Sequence, residues 1–264
     1  MPQSRVPIPY YQVDAFTDRV FGGNPAGVCL LESWLPDGRL QQIALENNLS
    51  ETAFVVRRGE EFDLRWMTPT MEIDLCGHAT LAPAFVIFNE LGFTGEEIRF
   101  HTKTGQLGAK REGDRIVLDF PAWEAKPCEI PAVLADALGW IPRELFRNRD
   151  YLAVFSSQEE LLSLKPDMVV LAQLDCLGVI CTAPGRDCDF VSRFFAPGAG
   201  IPEDPVTGSA HSTLTPYWAK RFSKQKLHAR QLSARGGELW CEDRGERVGI
   251  GGKCALYSRA QIEA

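Results

Sequence analysis

The sequence predicts an α+β fold of two pseudo-symmetric halves, each a curled, mostly antiparallel sheet around a central helix. Three observations predict it. The first is a repeat: Arg65-Trp66-Met67-Thr68-Pro69 followed by His78-Ala79-Thr80-Leu81-Ala82-Pro83 returns as Arg193-Phe194-Phe195-Ala196-Pro197 followed by His211-Ser212-Thr213-Leu214-Thr215-Pro216. The two blocks recur at offsets of 128 and 133 residues in a chain of 264, the second gap being five residues longer. The second is the excess of short strand-like runs over helical ones in both halves. The third is the segment after His78, which is apolar nearly all round (Leu81, Ala82, Ala84, Phe85, Val86, Ile87, Phe88). Such a helix is normally enclosed by other structure. Strands and helices do not alternate and no G-x-G-x-x-G follows a strand, so a Rossmann sheet is the weaker reading.

Residues 10–16 mix aromatic and β-branched side chains and read as a strand. Gly22-Gly23-Asn24-Pro25 is strong turn chemistry, and 26–31 resumes as a buried strand. Residues 37–47 carry Leu40, Ile43 and Ala44 at helical spacing, with Asp37 as the expected cap. Strands are expected at 52–57 and 62–67 around Gly59, then a helix over 78–91 that tolerates Pro83 within its first turns. Further strands follow at 98–102, 105–111 and 115–120. In the second half the reading gives short helices at 131–138 and 143–146, a strand at 151–155 and a helix at 159–164. Strands at 178–182 and 188–195, a helix over 209–222 and closing strands at 229–233, 237–243 and 247–255 complete it. The halves are placed at 1–124 and 125–264, with the last strand able to return to the first half.

A chain with 45% hydrophobic residues can bury a sizeable core. Its net charge of -7 argues against nucleic acid or an anionic membrane as the main partner. The first ten residues lack the apolar core of a secretory leader, and no apolar run approaches membrane-spanning length. Eight cysteines without a CxxC are therefore read as reduced thiols of a cytoplasmic protein.

The densest polar residues fill the two gaps of the repeat, residues 72–78 and 200–211. Each sets glycine beside small or polar residues where a helix begins. There the unpaired backbone N–H groups and the helix dipole favour an anion, or hold two ordinary capped helix starts. Two such ends meeting in a cleft between the halves would hold a carboxylate and stabilise a developing carbanion. Glu51 enters an apolar strand from a helix end. Taken alone it reads more readily as a solvated edge residue; in a dry cleft it would carry a proton near neutral pH. His78 and His211 are each either acid/base groups or partners of their own helix starts. Four histidines and no HExxH give no metal site. Cys76, at a helix start, is expected to have a lowered thiol pKa. Ser209 lacks the G-x-S-x-G setting of a hydrolase nucleophile.

At these motifs the chain resembles the phenazine-biosynthesis-type (PhzF-like) isomerases, which share the two-domain fold of diaminopimelate epimerase. The matching stretches are 14–17 with 21–26, Ser50-Glu51-Thr52-Ala53-Phe54-Val55, 65–69, Asp74-Leu75-Cys76-Gly77-His78-Ala79-Thr80 and Glu203-Asp204-Pro205-Val206-Thr207-Gly208-Ser209-Ala210-His211. The resemblance implies cofactor-free proton transfer at carbon in a biosynthetic role, with a small-molecule carboxylate as substrate. By motif, Glu51 matches the proton-carrying glutamate, while His78 and Asp204 match its polar partners. Cys76, Gly77, Gly208 and Ser209 would line the substrate, the glycine N–H groups holding its carboxylate. Homodimers are common in that family. The thiol-dependent epimerases of the same fold lead each helix with a cysteine. Here Pro205-Val206-Thr207-Gly208 replaces the second one, which disfavours a two-thiol route. Two alternatives stay open: a racemase or epimerase using Cys76 with another partner, and a non-catalytic small-ligand binder. The roles of His211 and Glu203 also stay open.

Overall fold

In a computed structural model, which describes residues 7–264, the chain divides into two units. One holds the chain up to Asp119 together with Gly251–Ala264; the other is Phe120–Ile250.

The first unit starts with β1 (Pro7–Ala15) and β2 (Asn24–Leu31), an antiparallel pair. The turn between them requires glycine: Gly23 has φ +58, and a Cβ there would come within 2.1 Å of the Ala15 carbonyl oxygen. Helix α1 (Asp37–Asn47) leads to β3 (Glu51–Arg58), parallel to β2. Next come β4 (Glu61–Met67) and β5 (Glu72–Ile73), each antiparallel to its predecessor. After α2 (His78–Asn89), β6 (Glu97–Thr102) returns parallel to β4, and β7 (Gly105–Glu112) and β8 (Arg115–Pro121) continue antiparallel.

The second unit repeats this order. After β9 (Lys126–Pro127) and α3 (Ala132–Leu138), β10 (Glu144–Arg147) and β11 (Tyr151–Val154) form an antiparallel pair. Helices α4 (Gln158–Ser163) and α5 (Met168–Leu171) lead to β12 (Val179–Pro184), parallel to β11. Strands β13 (Phe190–Ala196) and β14 (Ile201–Asp204) add antiparallel neighbours. After α6 (Gly208–Phe222), β15 (Lys226–Gln231) runs parallel to β13, and β16 (Gly237–Asp243) pairs antiparallel with β15. Strand β17 (Arg247–Gly252) carries the chain back, and β18 (Cys254–Glu263) pairs with β1. The sequence repeat is thus a repeat of strand order and pairing sense.

Helix α2 is buried on all sides, and it packs against β1, β2, β3 and β18. The prolines inside α2 and α6 leave one helix carbonyl each without its usual partner four residues on. Each orphan is satisfied from outside the helix. The Trp66 indole N–H donates to Ala79 O at 2.9 Å, and the Trp123 backbone N–H donates to Ser212 O at 2.9 Å. Removing a buried donor of this kind costs about 1–3 kcal/mol. Trp66→Phe should therefore lower the urea midpoint, and the loss should shrink in a Pro83→Ala background, where the helix supplies its own N–H. Equal losses in both backgrounds, read from a double-mutant cycle, would reject this coupling.

The repeated arginines are paired alike. Arg65 Nε and Nη2 donate to the two oxygens of Glu72 at 2.8 and 2.9 Å, and Arg193 Nε and Nη2 to those of Glu203 at 2.8 and 3.0 Å. Each fork staples the strand before the repeated proline to the short strand after it. Glu203 thereby has a structural partner.

Three expectations are corrected. Residues 143–146 are not helical: residues Glu144–Arg147 form β10, with Leu145 buried between more exposed neighbours. The turn that closes on Asp150, whose N–H is accepted by Asn148 Oδ1 at 3.0 Å, commits this segment to a hairpin with β11. Asp37 does not cap α1; the cap position is Pro36, and the Asp37 carboxylate accepts from Arg65 Nη1 at 2.9 Å. The closing run 247–255 is broken at Lys253 into β17 and the longer β18. No helix among the described residues is long and apolar enough to cross a membrane.

Candidate functional site

Strand β3 opens three residues after the left-handed Asn48 that ends α1, with Glu51 as its first residue, set opposite Ala26 of β2. Helix α2 begins at His78 with Gly77 at its cap. These two element starts bring Glu51 and His78 together: His78 Nε2 lies 2.9 Å from Glu51 Oε2, with the residues 4% and 6% exposed. The approach is off the direction of an aligned hydrogen bond, so it is an ion-pair contact. Cys76 Sγ lies 3.5 Å from the other ring nitrogen, Nδ1. The Asn24 amide also meets Nδ1, at 3.1 Å, and its oxygen accepts from Ser50 Oγ at 3.4 Å. An amide offers either a donor or an acceptor by turning over, so Asn24 can serve a neutral or a charged His78 ring.

Burial alone would push the Glu51 carboxyl up. The charge of the nearby His78 ring, with hydrogen bonds from Ser50 and Cys76, outweighs it, and Glu51 is held below the ordinary carboxylate range. Burial works against charge on His78 too, but the Cys76 sulfur, as an acceptor beside Nδ1, and the Glu51 carboxylate beside Nε2 raise its pKa well above the ordinary value. Cys76 differs from the sequence expectation. Burial first, and then the Glu51 charge, raise its pKa above that of an ordinary thiol, so the helix start does not make it a thiolate. At neutral pH the cluster is a carboxylate, an imidazolium and a neutral thiol. Glu51 is no solvated edge residue.

In the second unit, Asp204 ends β14 and is buried. It accepts a short hydrogen bond from Thr207 Oγ1. Gln231 Nε2 donates to Asp204 O at 2.8 Å, and its Oε1 accepts from Thr207 N at 2.9 Å. Gly208 opens α6 and Ser209 follows it. Ser209 Oγ accepts from Arg149 Nη2 at 3.4 Å. His211 is spent on its own helix: Nδ1 meets Thr207 O at 2.8 Å, and burial lowers its pKa to about 4.

The repeat is chemically unequal. By the pairing of β12 with β13, the counterpart of Glu51 is Gly178, one residue before the partner of Phe195. A Cβ on Gly178 would come within 2.4 Å of the Phe194 ring, so no acid fits there without a shift. No cysteine stands in residues 200–211 either.

Sequence reasoning passed over Asn24 and Ser50, which sit inside quoted motifs but carry no charge to mark them. It also missed Arg149 and Asp150. Asp150 is fully buried and 3.0 Å from Arg149 Nη2, and the guanidinium lies 4.6 Å over the Trp123 ring, 39% exposed. An Asn-Arg-Asp turn has no motif; only the fold shows that the acid is inside. Glu51, Cys76 and His78 also form a set of potential metal ligands, one atom each within 4.8 Å of one another.

The sheet-and-helix unit built twice recurs in solved proteins named as a PhzF-family protein and as a hydroxyproline epimerase. The sequence matches the family described as phenazine biosynthesis-like protein (PhzC-PhzF) over residues 13–260. An uncharacterised isomerase of Pseudomonas aeruginosa is 53% identical over 247 residues, covering 94% of this chain and 95% of that relative. A phenazine biosynthesis protein of the PhzF family from Enterococcus faecalis superposes with a TM-score of 0.95 at 46% identity, over 97% of this chain and 99% of that one. At 11% identity, a hydroxyproline epimerase from Agrobacterium vitis shares the fold, with a TM-score of 0.65 over 100% of this chain and 94% of that one. The chain belongs to the PhzC-PhzF family and is one of its isomerase-class enzymes.

Proposed function

We propose that this enzyme moves a proton between carbons of a small carboxylate, with Glu51 as the group that takes and returns it and no cofactor taking part. The observation that carries the reading is the buried Glu51–His78 pair, present once and without a counterpart in the second unit. A two-base epimerase needs a proton carrier on each face of its substrate. One carrier suits a shift in which the same group delivers what it removed.

In this reading the Glu51 carboxylate, ionised at neutral pH, removes an activated C–H proton and becomes a carboxylic acid. The electron pair left on carbon spreads into the adjoining unsaturated system. Glu51 then returns the proton to another carbon of that system and is again a carboxylate. His78 holds the carboxylate ionised and positioned between turnovers, and Asn24 fixes the ring. Gly77 and Gly208, at helix starts, supply backbone N–H groups for anionic substrate oxygens. Asp204 and Ser209 would contact polar substrate groups, with Arg149 beside Ser209 adding a cation for an anionic one. Cys76 stays a neutral neighbour. The family resemblance further supports a cytoplasmic homodimer, whose mass sedimentation would read.

The test is a panel of unsaturated cyclic and amino-acid-like carboxylates incubated with the enzyme in heavy water. A substrate should gain deuterium at carbon or isomerise, and Cys76→Ser should retain most of that rate. Loss of exchange in Cys76→Ser with retention in Glu51→Gln would replace this reading by a thiol-based epimerase. Thermal stabilisation by a panel member without exchange or turnover would indicate a binder.

A further inference from the structure

We propose that Glu51, Cys76 and His78 bind a zinc-class divalent cation, and that the bound cation silences the acid/base pair. The binding half of this proposal does not depend on Glu51 carrying a substrate proton; the silencing half does.

The three residues present one oxygen, one sulfur and one nitrogen within 4.8 Å of one another, all buried. Zinc binds these donors at about 2.0–2.3 Å, and sites with three protein ligands keep a fourth position open. Donors around such an ion stand roughly 3–4 Å apart. His78 Nε2 and Glu51 Oε2 are already 2.9 Å apart, and Cys76 Sγ, 3.5 Å from Nδ1, would turn toward the Nε2 edge of the ring to complete the set. A second observation points the same way: both of these atoms are buried, and neither makes an aligned hydrogen bond. A cation between them would engage both lone pairs. Asn24 meets the opposite ring nitrogen at 3.1 Å, the kind of outer contact that fixes a ligating imidazole. The sulfur donor selects zinc-like ions over magnesium and calcium.

Binding displaces the thiol proton of Cys76 and the Nε2 proton of His78 to solvent, and the ion takes their place. The Glu51 oxygen that would accept a substrate proton is then occupied by the metal. Free zinc would therefore inhibit this enzyme at its own acid/base group. The spacing of positions 51, 76 and 78 matches no metal motif, so spacing alone does not reveal it.

Cobalt(II) added to the metal-stripped full chain tests this without reference to activity. A thiolate-to-cobalt charge-transfer band in the near ultraviolet should appear, and zinc should remove it. The band should vanish in Cys76→Ser and persist in Cys128→Ser, which removes a partly exposed thiol elsewhere. Glu51→Gln, close in shape, should keep the band but weaken cobalt binding by about tenfold or more. No band, or a band that survives Cys76→Ser or is lost in Cys128→Ser, overturns the proposal. A band in a protein that exchanges no substrate hydrogen upholds the metal site and removes the acid/base reading alone. Exchange with no band does the reverse.

Discussion

Glu51→Gln is expected to lower hydrogen exchange at substrate carbon by on the order of 10²–10⁴, the contribution typical of a positioned acid/base group. The substitution keeps the shape of the side chain and removes the charge. It is a severe test because the fold should survive it. Breaking a buried ion pair from one side usually costs about 3–5 kcal/mol, since a charge is left alone in a poorly solvated place. Here the remaining partner is a histidine, which can shed its proton. Without the Glu51 carboxylate, burial pushes the His78 ring toward its neutral form, and its pKa should fall. Asn24 can turn its amide to suit the neutral ring, so the packing need not change. Two measurements check this: deuterium uptake at carbon, and titration of the His78 ring by NMR. An unchanged exchange rate would remove Glu51 from the reaction. A lost rate with an unmoved His78 titration would mean that the pair is not electrostatically linked as the 2.9 Å contact implies.

The repeat was readable because it is written in residues with few substitutes. The arginine fork needs its glutamate, and each helix proline needs an outside donor for the carbonyl it strands. Those requirements keep residue types at fixed places in both halves, so the architecture shows in the chain. Residues 143–146 misled because a four-residue strand is decided by the hairpin it joins rather than by its own preferences. The site was legible only as a set of candidates. Glu51 looks like an exposed acid when read alone, and its burial follows from where β3 begins relative to α2, two elements 27 residues apart at their starts. The Cys76 thiol departs from expectation for a related reason: the effect of a helix start on a thiol shows in the sequence, whereas the carboxylate beside it and the depth of burial do not. Charge environments are made by tertiary neighbours, and spacing alone does not report them.

His211 should make the protein lose stability as acidity increases between pH 6.5 and about 4, by up to about 3 kcal/mol. The Thr207 carbonyl can only accept, so Nδ1 carries the ring proton, and Nε2 is left as a bare, buried acceptor. Placing a second proton on that ring means charging it inside the unit. Burial accordingly lowers the folded-state pKa from 6.5 to about 4. The unfolded chain binds this proton at the ordinary pKa while the folded chain refuses it. The stabilisation is therefore complete above pH 6.5 and drains away as the pH falls toward 4. His78, with its raised pKa, behaves oppositely: its contribution is full below 6.5 and declines only as the pH rises through its folded value. That of Glu51 holds above 4.5 and declines below it. Between 4.5 and 6.5 the two site residues are thus flat, whereas the His211 contribution changes. His211→Asn can keep a donor for the Thr207 carbonyl while removing the titration. Urea midpoints across this range should slope less in the variant than in the parent, whatever packing against Phe190 the shorter side chain gives up. Parallel slopes would show that the parent ring already takes its second proton at the ordinary pKa, which a ring closed away from water cannot do.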